Sequence, residues 1–359
     1  MQVISVLKTN LRINYIFMAE KRGQSSEKSS WELPFSITLL INGSKIQVVF
    51  LVMLVTILPF LMGFLEQFNE IVKYRKEGNL EYPWPEYSDL WLAVKSLCFL
   101  LVLQFGLKKA LLPFTEKTIS AKYTGQERQD RAVRQVNSIF GCVYFTFAFV
   151  WGYYVSKYSY FLPPSLGGDG SAGLMFKDFP YQGREQFPQI REYIMVQLGY
   201  HMHSFIVHVF SKPRNDFVEM LLHHSVTVFL IILAYFMNYV TISHLVLFVH
   251  DLSDIFICCT KALVDTDSTF FTMSCYGLVM VTWSYMRLFI FPTEIIYWGF
   301  YNNPLPEQEV HGKWLLGTML HFLLVLHLYW YYLLIKMGLR FALKGKKEDI
   351  QQDLSNSKQ

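Results

Sequence analysis

The chain is 359 residues long, 52% of them hydrophobic and 17% aromatic, with a mean hydropathy of +0.26. So much apolar side chain excludes an ordinary soluble domain, and a net charge of only +4 leaves no electrostatic footprint for a nucleic acid partner. The expectation is an all-α polytopic membrane protein.

Residues 1–45 read as a cytosolic tail. Lys8, Arg12, Lys21, Arg22, Lys28 and Lys45 precede the first strong apolar run, so no secretory signal peptide is expected. About eight helices are long and apolar enough to span a bilayer: 46–65, 90–112, 138–155, 190–210, 220–239, 241–264, 270–298 and 314–339. The first two spans and a basic loop make up residues 46–137, a second unit covers 138–343, and 344–359 are a tail. The five cysteines, Cys98, Cys142, Cys258, Cys259 and Cys275, all lie in apolar runs and read as small core residues.

Orientation follows from the basic loops. Lys108, Lys109, Lys117, Lys122, Arg128, Arg131 and Arg134 lie between the second and third spans. Lys212 and Arg214 follow the fourth, and Lys336, Arg340, Lys344, Lys346 and Lys347 close the chain. With eight spans these groups share one side with both termini, and that side is the cytosol. The Gly- and Pro-rich stretch LPPSLGGDGSAG reads as a flexible lumenal loop. The sequon at Asn42 lies on the cytosolic side and is expected to stay unmodified.

The rest of the chain is organised around residues 220–261. Two apolar runs here carry groups that are costly in hydrocarbon: His223 and His224 in one, His250, Asp251 and Asp254 in the other. On a helix Asp251 and Asp254 share a face, and His250 nearly joins them. At about 1.5 Å per residue, His224 lies roughly 10 Å inside the cytosolic boundary, His201 and Asp254 roughly 15 Å, and Asp251 about 20 Å. His201 belongs to a polar stripe on the fourth span with Tyr193, Gln197, Ser204 and His208. Arg287 sits deeper, and its expected acid partner is Asp251.

One paired histidine with a carboxylate at its second nitrogen makes a general base, and the same imidazole can instead attack a thioester and carry the acyl group. Lys212 and Arg214 stand where the phosphates of a coenzyme thioester arrive, although topology alone also places them there. Ser225 and Thr227 can orient a substrate, although hydroxyls in a span usually bond their own backbone. Metal chemistry is not expected, since HxxxH, HxxHH and HExxH are missing from the sequence. His203 and His244 read as structural, and His321 and His327 as lining the same cavity or capping a tyrosine network.

The stretch KPRNDFVEMLLHHSVTVFLIILAYFMNYVTISHLVLFVHDLSDIFICCTKAL is similar to the signature of ceramide synthases, within the TLC-domain membrane proteins. Lys212, Arg214, Asp216, Phe217, His223, His224, Tyr235, Asn238, His250, Asp251 and Asp254 carry the resemblance. It extends to Arg287 and Pro292, weakly to Phe179 and Trp330, and covers roughly 138–343. It implies a TLC-type helical barrel of the last six spans that makes ceramide in the endoplasmic reticulum membrane. The substrates are a long-chain acyl-CoA and a sphingoid base. The resemblance gives His223, His224, Asp251 and Asp254 as catalytic. His201, Tyr235, Asn238, His250, Arg287, Lys212 and Arg214 are expected to bind substrate. Tyr235 and Asn238 are candidate oxyanion donors, Asn238 lying close to the lumenal end. No metal or redox cofactor is implied; membrane lipids are partners, as is, by analogy alone, a second copy of the chain. No homeobox-like domain follows the second span, and the loop NNPLPEQEVHGK lacks the acidic stretch tied to acyl-length choice in animal members. A TLC-fold lipid-binding protein without chemistry is the alternative.

Overall fold

A computed structural model describes residues 85–177, 179, 189–211, 216–302 and 313–344, with Glu66, Asn69 and Lys73. All of these lie in one unit, Val49–Gln359. The expected tail 1–45, the expected first span 46–65, Asn42, Lys212, Arg214 and the C-terminal tail beyond Lys344 lie outside the described residues.

Among the described residues there are seven long helices and no strand beyond one isolated bridge, Ile119 to Thr266. They are α1 (Leu90–Thr118), α2 (Gly125–Ser156), α3 (Ile190–Val209), α4 (Phe217–Phe236), α5 (Val240–Leu263), α6 (Thr269–Trp283) and α7 (Lys313–Lys344). After Trp283, α6 continues as a π-helix over Ser284–Tyr301, with Pro292 inside it. Proline has no N–H to give a helical ladder, and the wider i→i+5 register carries the chain past it. Among the described residues, six helical stretches are long and apolar enough to cross a membrane. α3 has the length, at 20 residues, but its polar stripe dilutes it. The protein is an all-α, multi-pass membrane protein.

The bundle is built around α5, which packs along α2 and α6 and also touches α3, α4 and the π-helix. α7 lies against the π-helix and α4, α4 against α3, and α1 against α3 and α2. The ring α3–α4–α7–α6–α5 thus closes on itself, with α2 bracing its outer side. Close approaches fall at small residues, as bilayer helix packing requires. A Cβ at Gly199 would stand 2.6 Å from the Ala93 carbonyl oxygen of α1, and one at Gly141 would stand 2.8 Å from Cys258 Sγ of α5. Two of the thiols read as separate core residues meet here, Cys142 Sγ lying 3.1 Å from Cys259 Sγ.

Two expectations change. Residues 125–137, too polar to register as a span, are the first turns of α2. They are helical because they dock on the α5–α6 turn. Arg131 and Arg134 pair with Asp265, and Gln135 Nε2 donates to the Ala262 carbonyl at 2.9 Å. The stretch after α2, read as a flexible loop, is a folded plug. Phe161, Leu162, Met175 and Phe176 are all but fully buried, Gly170 N donates to Leu162 O at 2.8 Å, and the Thr241 hydroxyl donates to Met175 O. The glycines and prolines set its turns, and the apolar residues between them anchor it.

Candidate active site

Four helices present stripes to a common interior. On α4 the stripe is His223, Thr227, Leu230, Ile231 and Ala234. On α5 it is Ile242, Ser243, Val246, Leu247, His250 and Asp254, and α7 adds Leu316, Leu320 and Leu323. These spacings of three and four put each set on one helix face. With His201 from α3 they line a cavity that is mostly apolar, its polar groups lying chiefly toward the histidines and Asp254. A second cavity runs the other way along α5, toward Lys261 and Val264. Trp283, Arg287, Trp330 and Asp216 are among its lining. His223 and Asp254 line both cavities and so mark their junction.

At the junction Arg287 Nη2 donates to Asp254 Oδ1 at 2.5 Å and its Nε donates to Ser253 Oγ at 2.7 Å. Its guanidinium carbon lies 4.2 Å from the Trp283 ring centre. The cation is buried and held through Nε and Nη2, and an ion pair in a membrane interior needs such partners. The partner expected for Arg287 was Asp251; the structure gives Asp254 instead. Asp251 points to α3, where Tyr193 Oη (2.9 Å) and Gln197 Nε2 (2.7 Å) donate to its Oδ2, and Tyr144 Oη donates to Gln197 Oε1 (2.9 Å). The reason is angular. Asp251 follows His250 by one residue, about 100° around the helix, whereas Asp254 follows it by four and returns to the same face.

The histidines divide by what holds them. His250 Nδ1 lies 2.6 Å from the Val246 carbonyl, which only accepts, so Nδ1 carries the proton. Its Nε2, 3.0 Å from His327 Nε2, then accepts from that nitrogen. Both nitrogens of His250 are thereby occupied, although its ring lines the cavity. His321 donates from Nδ1 to Gly317 O and accepts at Nε2 from Tyr301 Oη, so it caps a tyrosine away from both cavities. His203 is buried, with Nε2 2.9 Å from Gln104 Oε1, and His244 is buried among Phe161, Tyr193 and Phe248.

His223 packs edge-on against Trp330 at 5.1 Å, and its Nδ1 has no partner among the described residues. The carboxylate expected at its second nitrogen is not in place, because Arg287 holds Asp254. His224 lines neither cavity; its ring lies 5.4 Å from that of His208, whose Nε2 donates to Phe217 O. Tyr235 and Asn238 are not at the junction either. Tyr235 Oη donates to Asp89 Oδ2 at 2.7 Å, and Asn238 Oδ1 accepts from Arg191 at 2.5 Å. Both stand near the α4–α5 turn, where Asn238 takes a left-handed φ of 61°. The oxyanion role expected of them therefore falls away.

Of the sequence expectations, His201, His223, His250, Asp254 and Arg287 are brought together at or beside the junction. Trp283, Trp330 and Lys261 were not counted in the site, yet they line it, and Thr227, raised only as a residue able to orient a substrate, lines the apolar cavity. The i, i+4 spacing from His223 was the signal for Thr227. Among the described residues no group of three or more His, Cys, Asp or Glu side chains is arranged to hold a metal ion.

The TLC-domain family model matches residues 134–336. Ceramide synthase 4 of Mus musculus is 30% identical over 188 residues, 51% of this chain and 47% of that protein. Ceramide synthase LOH2 of Arabidopsis thaliana is 30% identical over 188 residues, 50% of this chain and 63% of that one. Ceramide synthase hyl-2 of Caenorhabditis elegans is 25% identical over 300 residues, 78% of this chain and 88% of that protein. The chain thus spans about half the length of the mouse relative. The matched region is more than half of the chain and contains every titratable group at the cavity junction, and the chain belongs to the TLC-domain family.

Proposed function

We propose that the protein is a ceramide synthase, an acyl-CoA-dependent sphingosine N-acyltransferase that forms ceramide or dihydroceramide. The observation that carries this reading is the position of His223. An imidazole whose Nδ1 has no partner among the described residues stands where a long apolar cavity meets a second one that carries Arg287, Lys261 and Asp216 on a mostly apolar lining, beside a buried Asp254–Arg287 pair. From Asp254 to Ile242 the apolar cavity follows α5 for about 18 Å, a length suited to an alkyl chain. The second cavity ends near Lys261, a cation fit for the phosphates of a coenzyme. The names of the relatives in mouse, plant and nematode support the same reaction.

In this reading a long-chain acyl-CoA places its thioester at His223, with the coenzyme in the second cavity. The amine of a sphingoid base attacks the carbonyl, its proton passing to His223; alternatively the imidazole attacks first and the amine then takes the acyl group. Asp254 and Arg287 fix the charge beside this centre, and Asp251 holds α5 against α3. This chemistry needs no metal or redox cofactor. The catalytic unit is residues 138–343, in the endoplasmic reticulum membrane with both termini cytosolic.

The test is release of free CoA thiol from purified protein in detergent, given long-chain acyl-CoA with and without sphinganine, with the lipid product weighed by mass spectrometry. The reading expects release that depends on the amine and matches the N-acylated product mole for mole. Folded protein that binds sphinganine yet releases no thiol with any chain length would overturn it.

A further inference from the structure

Thr227 departs from the usual behaviour of a hydroxyl in a membrane helix. Such a group donates to the carbonyl one turn back, as Ser225 does to Leu221 at 2.8 Å, Thr260 to Phe256 and Ser243 to Tyr239. Thr227 Oγ1 has no partner among the described residues, although the residue is only 8% exposed and lines the apolar cavity. An unpaired hydroxyl buried this way costs stability. It sits four residues after His223 on the same face of α4, with Cβ atoms about 5–6 Å apart. Helical side chains lean toward the N-terminus, so the hydroxyl stands on the cavity wall just below the His223 ring.

We propose that the Thr227 hydroxyl is the oxyanion donor of the reaction. The inference rests on the acyltransferase reading above. As a nucleophile's lone pair forms the new bond to the thioester carbon, the carbonyl π pair moves onto oxygen. That oxygen accepts from Thr227 Oγ1–H. The pair then returns, the C–S bond breaks, and the thiolate leaves with the proton that His223 took from the amine, so that acyl-CoA and amine give amide and free thiol. The donor serves whether the nucleophile is the amine or the His223 imidazole, since either route passes through the tetrahedral oxyanion. Losing one such donor slows other acyl-transfer enzymes by about 10²–10³-fold.

The experiment compares wild type with Thr227→Val and Thr227→Ser, with sphinganine and with a long-chain amine that has no hydroxyl. Thiol release is read as kcat and KM, and thermal unfolding is followed in the same detergent. For Thr227→Val we expect kcat to fall by about 10²-fold or more, with both KM values unchanged, the same fall with either amine, and a higher melting temperature. Thr227→Ser restores most of the rate. Amine-independent or absent release by wild type defeats the acyltransferase reading itself. With wild type active, any of three results overturns the Thr227 assignment alone: an undiminished kcat in Thr227→Val, a Thr227→Ser as slow as Thr227→Val, or a loss seen only with the hydroxylated base. Should Thr227→Val not fold, the serine variant's kcat decides: near wild type supports the donor, and a fall matching lost hydroxyl function overturns it.

Discussion

Asp251 and Asp254 stand three residues apart on α5 and meet opposite surroundings. Asp254 lines both cavities and is paired with the buried cation of Arg287. Asp251 lines neither cavity and is closed in by neutral donors, Tyr193 and Gln197, that tie α5 to α3. The same split runs through the bundle. One face of α5 looks at the reacting space, and the face about 60° away holds that space in shape. Two acids that sequence spacing joins into one constellation are, in three dimensions, a junction residue and a brace.

The comparison can be broken hardest at the junction. His223→Ala is expected to lower amide formation by about 10³-fold or more, removing a proton acceptor or nucleophile. His224→Ala, which loses a ring packed on His208, should slow the reaction far less. Parallel thiol-release rates check the order. Next come Asp254→Asn and Arg287→Met. Each leaves one half of a buried pair without its opposite charge, at about 3–5 kcal/mol of stability. Replacing both by apolar residues recovers much of that stability without recovering activity, which thermal melts beside rate assays will show. On the bracing side, Asp251→Asn keeps an oxygen for Tyr193 and Gln197, so it costs less than about 2 kcal/mol and leaves the enzyme active. An inactive but stably folded Asp251→Asn would move Asp251 to the junction. The smallest effect is at Tyr235→Phe, which loses the hydrogen bond to Asp89, about 1 kcal/mol, and leaves kcat unchanged.

Much of this was legible in the sequence, and the rest was hidden for definite reasons. Apolar run length placed α3, α4 and α5 to within a few residues, because long segments with costly polar insertions have few other solutions. Depth counting brought His201 and Asp254 to one level. It could not tell Asp251 from Asp254, because which way a helix is rotated depends on its neighbours, and the Tyr193–Gln197 pair on α3 claims one of the two. Nor could it choose between His223 and His224, which differ by about 100° of rotation. The start of α2 was missed because hydropathy does not register a helix held by Arg131, Arg134 and Gln135. The plug after α2 was misread because its glycines and prolines signal turns, while its anchors Phe161, Met175 and Phe176 are scattered.

The most direct test of His223 as the reacting centre measures His223→Ala and His224→Ala together, scoring amine-dependent thiol release against sphinganine binding by the same preparations. The account predicts that His223→Ala binds sphinganine like wild type and releases no thiol, while His224→Ala retains measurable turnover. A His223→Ala protein that turns over faster than His224→Ala would contradict it.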